Sequence, residues 1–311
     1  MAEHHLDPKK IHFVWNNELP PAITVKPGDT VHCWTQEVSN GQVTPGCSAD
    51  VLHTINFDNV YPLAGPIAVD GATPGDALEV EILSLQPDNW GWTGILPGLG
   101  LLSGEFNTPY IRHFDLSDGK TTRLGDSIVI PLQPFCGTMG VAPAEPGTFP
   151  VLPPGNFGGN MDIRHLNTGC TLLLPVNVPG GLFSAGDCHA VQGDGEVCVT
   201  GVECPMSFSL RFNVRRGAHL PSPQFIVKRS PVSIHDTATG YFATTGVGPD
   251  LMEDARQAVR HMIDWLCKEH HVTPEDAYVL CSIAGDLKIS EIVDIPNWIV
   301  SFHMPLSIFQ A

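Results

Sequence analysis

The stretch Gly186-Asp187-Cys188-His189-Ala190-Val191-Gln192-Gly193-Asp194-Gly195-Glu196 packs three carboxylates, an imidazole and a carboxamide into eleven residues. Side chains alternate along an extended chain, so Asp187 and His189 would project to one side. A carboxylate oxygen and an imidazole nitrogen on one face suit a divalent cation such as zinc. The three glycines allow sharp turns, which would return Asp194 and Glu196 to the same pocket as candidate acid–base groups. The same residues also describe an exposed acidic hairpin whose Asp-Gly pairs are turn chemistry. Residue types alone leave both open.

A second cluster, Asn156 to Asp162, sets two amides and a carboxylate beside Gly158-Gly159 at the end of the Pro- and Gly-rich stretch Pro143 to Gly159. Long loops of this kind in compact domains are often functional. Asp162 is thus a third candidate oxygen ligand, although such a loop can equally be held by its own Asn and Asp side chains. His53 and Gln42 lie in a polar stretch before Tyr61-Pro62-Leu63-Ala64-Gly65, whose rigid, small residues could line a pocket. A lone His53 also fits a hydrogen-bonded structural histidine. Trp90-Gly91-Trp92 and Ile95 to Gly100 form an apolar loop able to cover a small site or a subunit interface. No G-x-S-x-G elbow, P-loop, H-E-x-x-H or dinucleotide fingerprint is present.

The elements that must position these residues read mainly as strands. Ala77 to Leu83 alternates apolar and acidic residues, and Ser207 to Val214 alternates strictly, placing Phe208, Leu210, Phe212 and Val214 on one core face. Lys26-Pro27-Gly28-Asp29 and Pro74-Gly75-Asp76 are turns, each leading into a strand. Ser127 to Ile130, Thr171 to Val176 and Val197 to Val202 read as further strands. Helices come late. From Leu251 to Leu266 apolar residues recur at three- and four-residue steps, with Asp250 and Glu253 as a capping box. A second helix is expected from Thr273, with Pro274 in its first turn. The expected fold is mainly β, a sandwich or barrel-like body over 1–225, with a small α/β portion over 226–311 containing the two helices and packed on the body.

At 311 residues the chain can bury a substantial core, and its 31 glycines and 28 prolines, spread between apolar runs, read as turns rather than disorder. A net charge of −17 excludes nucleic acid and anionic membrane as partners, because phosphate binding needs clustered Lys and Arg. The acidic excess serves solubility, and some of it could hold cations. Nine cysteines with no C-x-x-C pair argue against a disulfide framework or a zinc knuckle. No signal-peptide pattern opens the sequence, and no run approaches the roughly 20 apolar residues of a spanning helix. A cytoplasmic location is expected.

Gly65-Pro66-Ile67 through Gly71-Ala72-Thr73-Pro74-Gly75-Asp76, Asn160-Met161-Asp162 and Gly186-Asp187 to Glu196 resemble the acetamidase/formamidase family. Further matching blocks are Pro249 to Met252, Asp264-Trp265-Leu266, Asp276-Ala277-Tyr278 and Pro296-Asn297-Trp298, in the family's order. Tyr61 stands where many members carry His. The resemblance implies a homo-oligomer that hydrolyses short amides such as formamide or acetamide, with zinc or calcium near Asp187 and His189. Asp162 or His53 would complete the ligand set. Glu196 would act as general base and then protonate the departing amine. Gln42, Asn160 or Gln192 would hydrogen-bond the amide, and small residues from Tyr61 to Gly65 would admit only a compact substrate. The competing expectations are a non-catalytic calcium-binding β protein and hydrolysis of another C–N bond on the same fold.

Overall fold

Alternation builds the first sheet. Met206–Arg215 buries Met206, Phe208, Leu210 and Phe212 and turns the residues between them outward, the period of a strand with one covered face. Val214, near the strand's end, is only half-buried. In the computed structural model, which describes residues 1–220, 222–226, 241–291 and 298–309, this strand is central to a six-stranded sheet. The order is Glu3–His5, Thr30–Thr35, Met206–Arg215, Ala77–Pro87, Thr171–Pro175, Gln224–Ile226. All neighbours are antiparallel except the first pair. Glu81 and Glu79 on the outer face meet Arg211 and Arg215 of the neighbouring strand, the cross-strand pairing expected of opposite charges.

The second sheet runs Gly158–Asn160, Phe135–Gly140, Phe183–His189, Leu63–Val69, Ile11–His12, with Ile23–Val25 parallel to Leu63–Val69. Its three central strands are buried over their whole length. One face meets the first sheet, where the rings of Phe183 and Phe212 lie 5.2 Å apart. Loops cover the other, with Trp15, Leu63 and Val151 packed against Phe149 and Phe157. The body is therefore a sandwich, and among the described residues no sheet closes into a barrel.

Two helices follow. In α1 (Leu251–His270) Asp250 accepts from the Glu253 backbone N–H at 2.9 Å, and in α2 (Pro274–Ala284) Thr273 accepts from Asp276 at 3.1 Å. Ala255, Ala258, Val259, Met262, Ile263 and Leu266 form the buried stripe of α1, whereas Met252 in its first turn is exposed. A three-stranded antiparallel sheet, Tyr241–Gly248, Trp298–Pro305, Asp286–Glu291, completes this portion. Met262 of α1 and Leu172 of the sandwich belong to one continuous core. Pro296 and Asn297 lie outside the described residues.

Val197 to Val202, expected as a strand, is a loop. Val197, Cys198 and Val202 are buried, and α2 clamps the loop: the Tyr278 hydroxyl donates to the Val197 carbonyl at 2.5 Å and accepts from Leu102 N–H at 2.8 Å. All nine thiols are free. No helix among the described residues is long and apolar enough to cross a membrane.

Candidate active site

The floor of the site is made where the second sheet's strands end. Asp187 and His189 close the strand Phe183–His189, which lies beside Phe135–Gly140 in a register that sets Cys188 opposite Cys136. Met161 and Asp162 both donate backbone N–H to the Gly137 carbonyl at 3.1 Å, which brings the Asp162 carboxylate over the same strand. The side chains converge on one imidazole. His189 Nε2 lies 3.1 Å from Glu203 Oε2, 3.4 Å from Asp187 Oδ1 and 3.9 Å from Glu196 Oε1, and Nδ1 lies 4.0 Å from Asp162 Oδ1.

Gln192 fixes which nitrogen faces these carboxylates. Its amide N–H donates to the Asp162 carbonyl at 3.1 Å, so its Oε1, 2.7 Å from His189 Nδ1, accepts from that nitrogen. Nε2 is thereby directed at the carboxylates. Gln192, expected to bind substrate, is buried, orients the imidazole and does not line the cavity above the cluster.

Such crowding is electrostatically costly. Burial pushes Asp162 up to about 7, with Asp187 adding to the effect and His189 opposing it. Burial likewise raises Glu203 to about 7 against the pull of His189. It holds Glu196 well above the usual carboxylate range, aided by Asp162. For His189 burial disfavours the charged form, but Glu203 and Asp187 together outweigh it and raise its pKa well above the usual value. The Asp162 Oδ1 atom is buried with no hydrogen-bond partner, and Glu203 Oε2, although 3.1 Å from His189 Nε2, makes no well-aligned hydrogen bond. In two groups, Asp187-His189-Glu203 and Asp162-His189-Glu196, the donor atoms all lie within 4.8 Å of one another. Mixed carboxylate and imidazole donors with an orphaned oxygen fit a divalent cation.

A pH dependence follows for protein stripped of cations. The folded state keeps protons on Asp162 and Glu203 up to about 7, whereas the unfolded chain releases them near pH 4. Stability then falls as pH rises between those values. The raised His189 acts in the same direction, its contribution being lost as pH rises. The denaturation midpoint of chelator-treated protein is expected to be lower at pH 8 than at pH 5.

Space for the cluster depends on Gly137. A Cβ there would lie 2.3 Å from Asp162 Oδ1 and 3.0 Å from the Asp187 carbonyl oxygen, and the second of these is backbone. Gly137→Ala is expected to reduce kcat by about 100-fold, the effect of moving reacting groups by roughly 1 Å, with the circular dichroism spectrum retained. Unchanged kinetics would mean that Asp162 can move without consequence.

Several candidates stand elsewhere. His53 ends the short 3-10 turn Ala49–His53, which buries Leu52 and so rotates His53 into solvent; it is not a ligand of this cluster. The Gln42 amide is consumed in closing its own loop, donating to the carbonyls of Ser39, Asn56 and Asn59 and accepting from Asn56 N–H. Asp194 faces away from the cluster, 3.6 Å from Arg164 Nε and 3.4 Å from His165 Nε2. Arg164 is itself buried, pairing with Asp286 at 3.2 Å and donating to the Gln192 carbonyl at 3.1 Å.

Asn160 and Tyr61 do line the cavity above the cluster. Asn160 Oδ1 accepts from Thr138 Oγ1 at 2.7 Å, which leaves its N–H groups free to turn outward. Of the stretch Tyr61 to Gly65 only Tyr61 reaches the cavity; Leu63 to Gly65 are buried in their strand.

Two acidic residues carried no motif. Glu203 is anchored by paired backbone hydrogen bonds to Trp92, 2.9 and 2.8 Å, and its Oε1 accepts from Gly201 N–H at 2.9 Å. Glu37 is fully buried and accepts from Trp92 Nε1, Ser39 N–H and Oγ, and Gly41 N–H, so it fixes the wall formed by Val38, Ser39 and Trp92. For Glu203 a lone acidic residue among the apolar Val202, Cys204, Pro205 and Met206 is the available signal, since a buried carboxylate demands partners; Glu37 lies in a polar stretch that carries no such signal.

The Acetamidase/Formamidase family pattern matches residues 2–147 and 147–311. A formamidase of Methylophilus methylotrophus is 27% identical, covering 97% of this chain and 90% of its own length. The solved acetamidase of Bacillus halodurans is 32% identical, with a TM-score of 0.69 over 97% of both chains. A γ-lactamase from Delftia acidovorans shares the fold with a TM-score of 0.91 at 24% identity, covering 99% of this chain and 94% of that one.

Proposed function

The chain belongs to the acetamidase/formamidase family, and from that premise we propose that it hydrolyses a small uncharged carboxamide to the carboxylate and ammonia, using a divalent cation. The observation that carries this reading is the convergence of Asp162, Asp187, Glu196 and Glu203 on His189 beneath an open cavity, with Asp162 Oδ1 buried and without a hydrogen-bond partner. Asp187, His189 and Glu203 would hold the cation, with the imidazole favouring zinc over calcium, which takes about six to eight oxygens. When bound, such an ion supplies Lewis-acid polarisation of a carbonyl oxygen.

The chain's own groups do the rest. Glu196, which lines the cavity 3.9 Å from His189 and is raised above the usual carboxylate range by burial, is the proton carrier. It takes a proton from the attacking water as the new C–O bond forms, then returns it to the nitrogen as the C–N bond breaks. The acid and ammonia so formed exchange a proton to give carboxylate and ammonium. Burial and the surrounding carboxylates keep the Tyr61 phenol protonated, so Tyr61 and the Asn160 amide are donors for the substrate's carbonyl oxygen. Assembly as a homo-oligomer in the cytoplasm belongs to the same reading.

Ammonia release from formamide, acetamide, propionamide and larger amides tests it. Metal-replete protein should release ammonia and chelation should abolish that release. Metal-replete protein inert towards every amide overturns the assignment.

A further inference from the structure

Above its acidic floor the cavity is apolar. Val38, Ile55, Leu96 and Trp92 form the wall, and Phe57, Leu99 and Leu152 stand at the rim. The three rim residues are 62%, 43% and 55% exposed. Large apolar side chains left that open around one cavity call for a ligand whose burial removes them from water. The cavity holds about 150 Å³, and an apolar cavity of roughly this volume accommodates a benzene-sized molecule. Formamide and acetamide would leave most of it to water.

We propose that the substrate is a primary amide with an uncharged, apolar acyl group of about five to seven carbons, seated against this wall and rim. The inference rests on the amidase reading and narrows it. The carboxamide lies on the floor against Tyr61, Asn160 and Glu196, and the acyl chain runs outward past Val38 and Leu96 to Leu99 and Leu152. The apolar wall adds a second filter. An acyl group bearing its own carboxylate would have to leave water against Val38, Ile55, Leu96 and Trp92, which offer that charge no partner.

The test is kcat/KM for formamide, acetamide, hexanamide, benzamide and succinamate on metal-replete protein. Each buried methylene contributes roughly fourfold, so hexanamide should exceed acetamide on the order of 100-fold, mainly through KM, with succinamate far below hexanamide. Leu152→Ser, a change at an exposed rim position, should lower the hexanamide-to-acetamide ratio. Acetamide or formamide equal to or better than hexanamide and benzamide overturns the inference and leaves the amidase reading intact. If no amide is hydrolysed that reading falls, and calorimetric titration then decides the pocket. Tighter binding of hexanamide than of acetamide supports the apolar site, and equal binding overturns it.

Discussion

Glu196→Gln is expected to lower kcat by about 10³-fold, within the range that one positioned acid–base group contributes, while cation binding stays within a few-fold. Glutamine keeps the shape of the side chain but can neither take a proton from water nor return it to nitrogen. The residue is chosen for its setting. Glu196 lies in the loop after His189, 3.9 Å from that imidazole and lining the cavity, and burial raises its pKa, which favours its holding a proton once taken from water. Amide cleavage makes the departing amine's protonation the harder half, so the loss should fall on kcat far more than on KM. Retained turnover in Glu196→Gln would move the proton-transfer role to another carboxylate, Glu203 first.

His189→Ala should remove cation binding and turnover together, and should destabilise the fold as well. The imidazole belongs to both donor groups, and among the described residues it is the one basic side chain paired with Asp187 and Glu203, each almost completely buried. Removing one partner from a buried ionic pair costs about 3–5 kcal/mol, because the charge left behind has no compensation. Zinc titration by calorimetry and a thermal melt read the two effects separately. Stoichiometric zinc binding by His189→Ala, with activity retained, would reduce the imidazole to a structural counter-charge.

The helices and their caps were legible because their signals are local: Asp250 with Glu253 and Thr273 with Asp276 lie within four residues of each other. Asp187 and His189 were legible for the same reason, one strand and a period of two. Closeness in sequence then misled. Asp194 lies two residues from Glu196, yet the intervening turn points it at Arg164 and ties its backbone to Asp286 at 3.0 Å, 92 positions away. Gly193 permits this by lying against the Gly285 carbonyl, where a Cβ would come within 1.6 Å. His53 was lost to the helical period of its turn. Glu203 reaches His189 through a bridge between chain segments 14 residues apart, a pairing that no pattern in the sequence announces.

Among the described residues nine non-glycines have left-handed backbone, and five of them, Tyr61, Asp162, Asp187, Glu196 and Val199, line this one cavity. An ordinary side chain held there costs roughly 1–2 kcal/mol, and glycine or asparagine would relieve much of that cost. Asp162, Asp187 and Glu196 thus carry backbone strain together with a buried carboxylate. A laboratory lineage selected for heat resistance alone would drift towards Gly or Asn at these three codons and lose its chemistry on the way. In this chain thermal robustness and catalysis draw on the same few backbone angles, and a screen must score both to keep either meaningful.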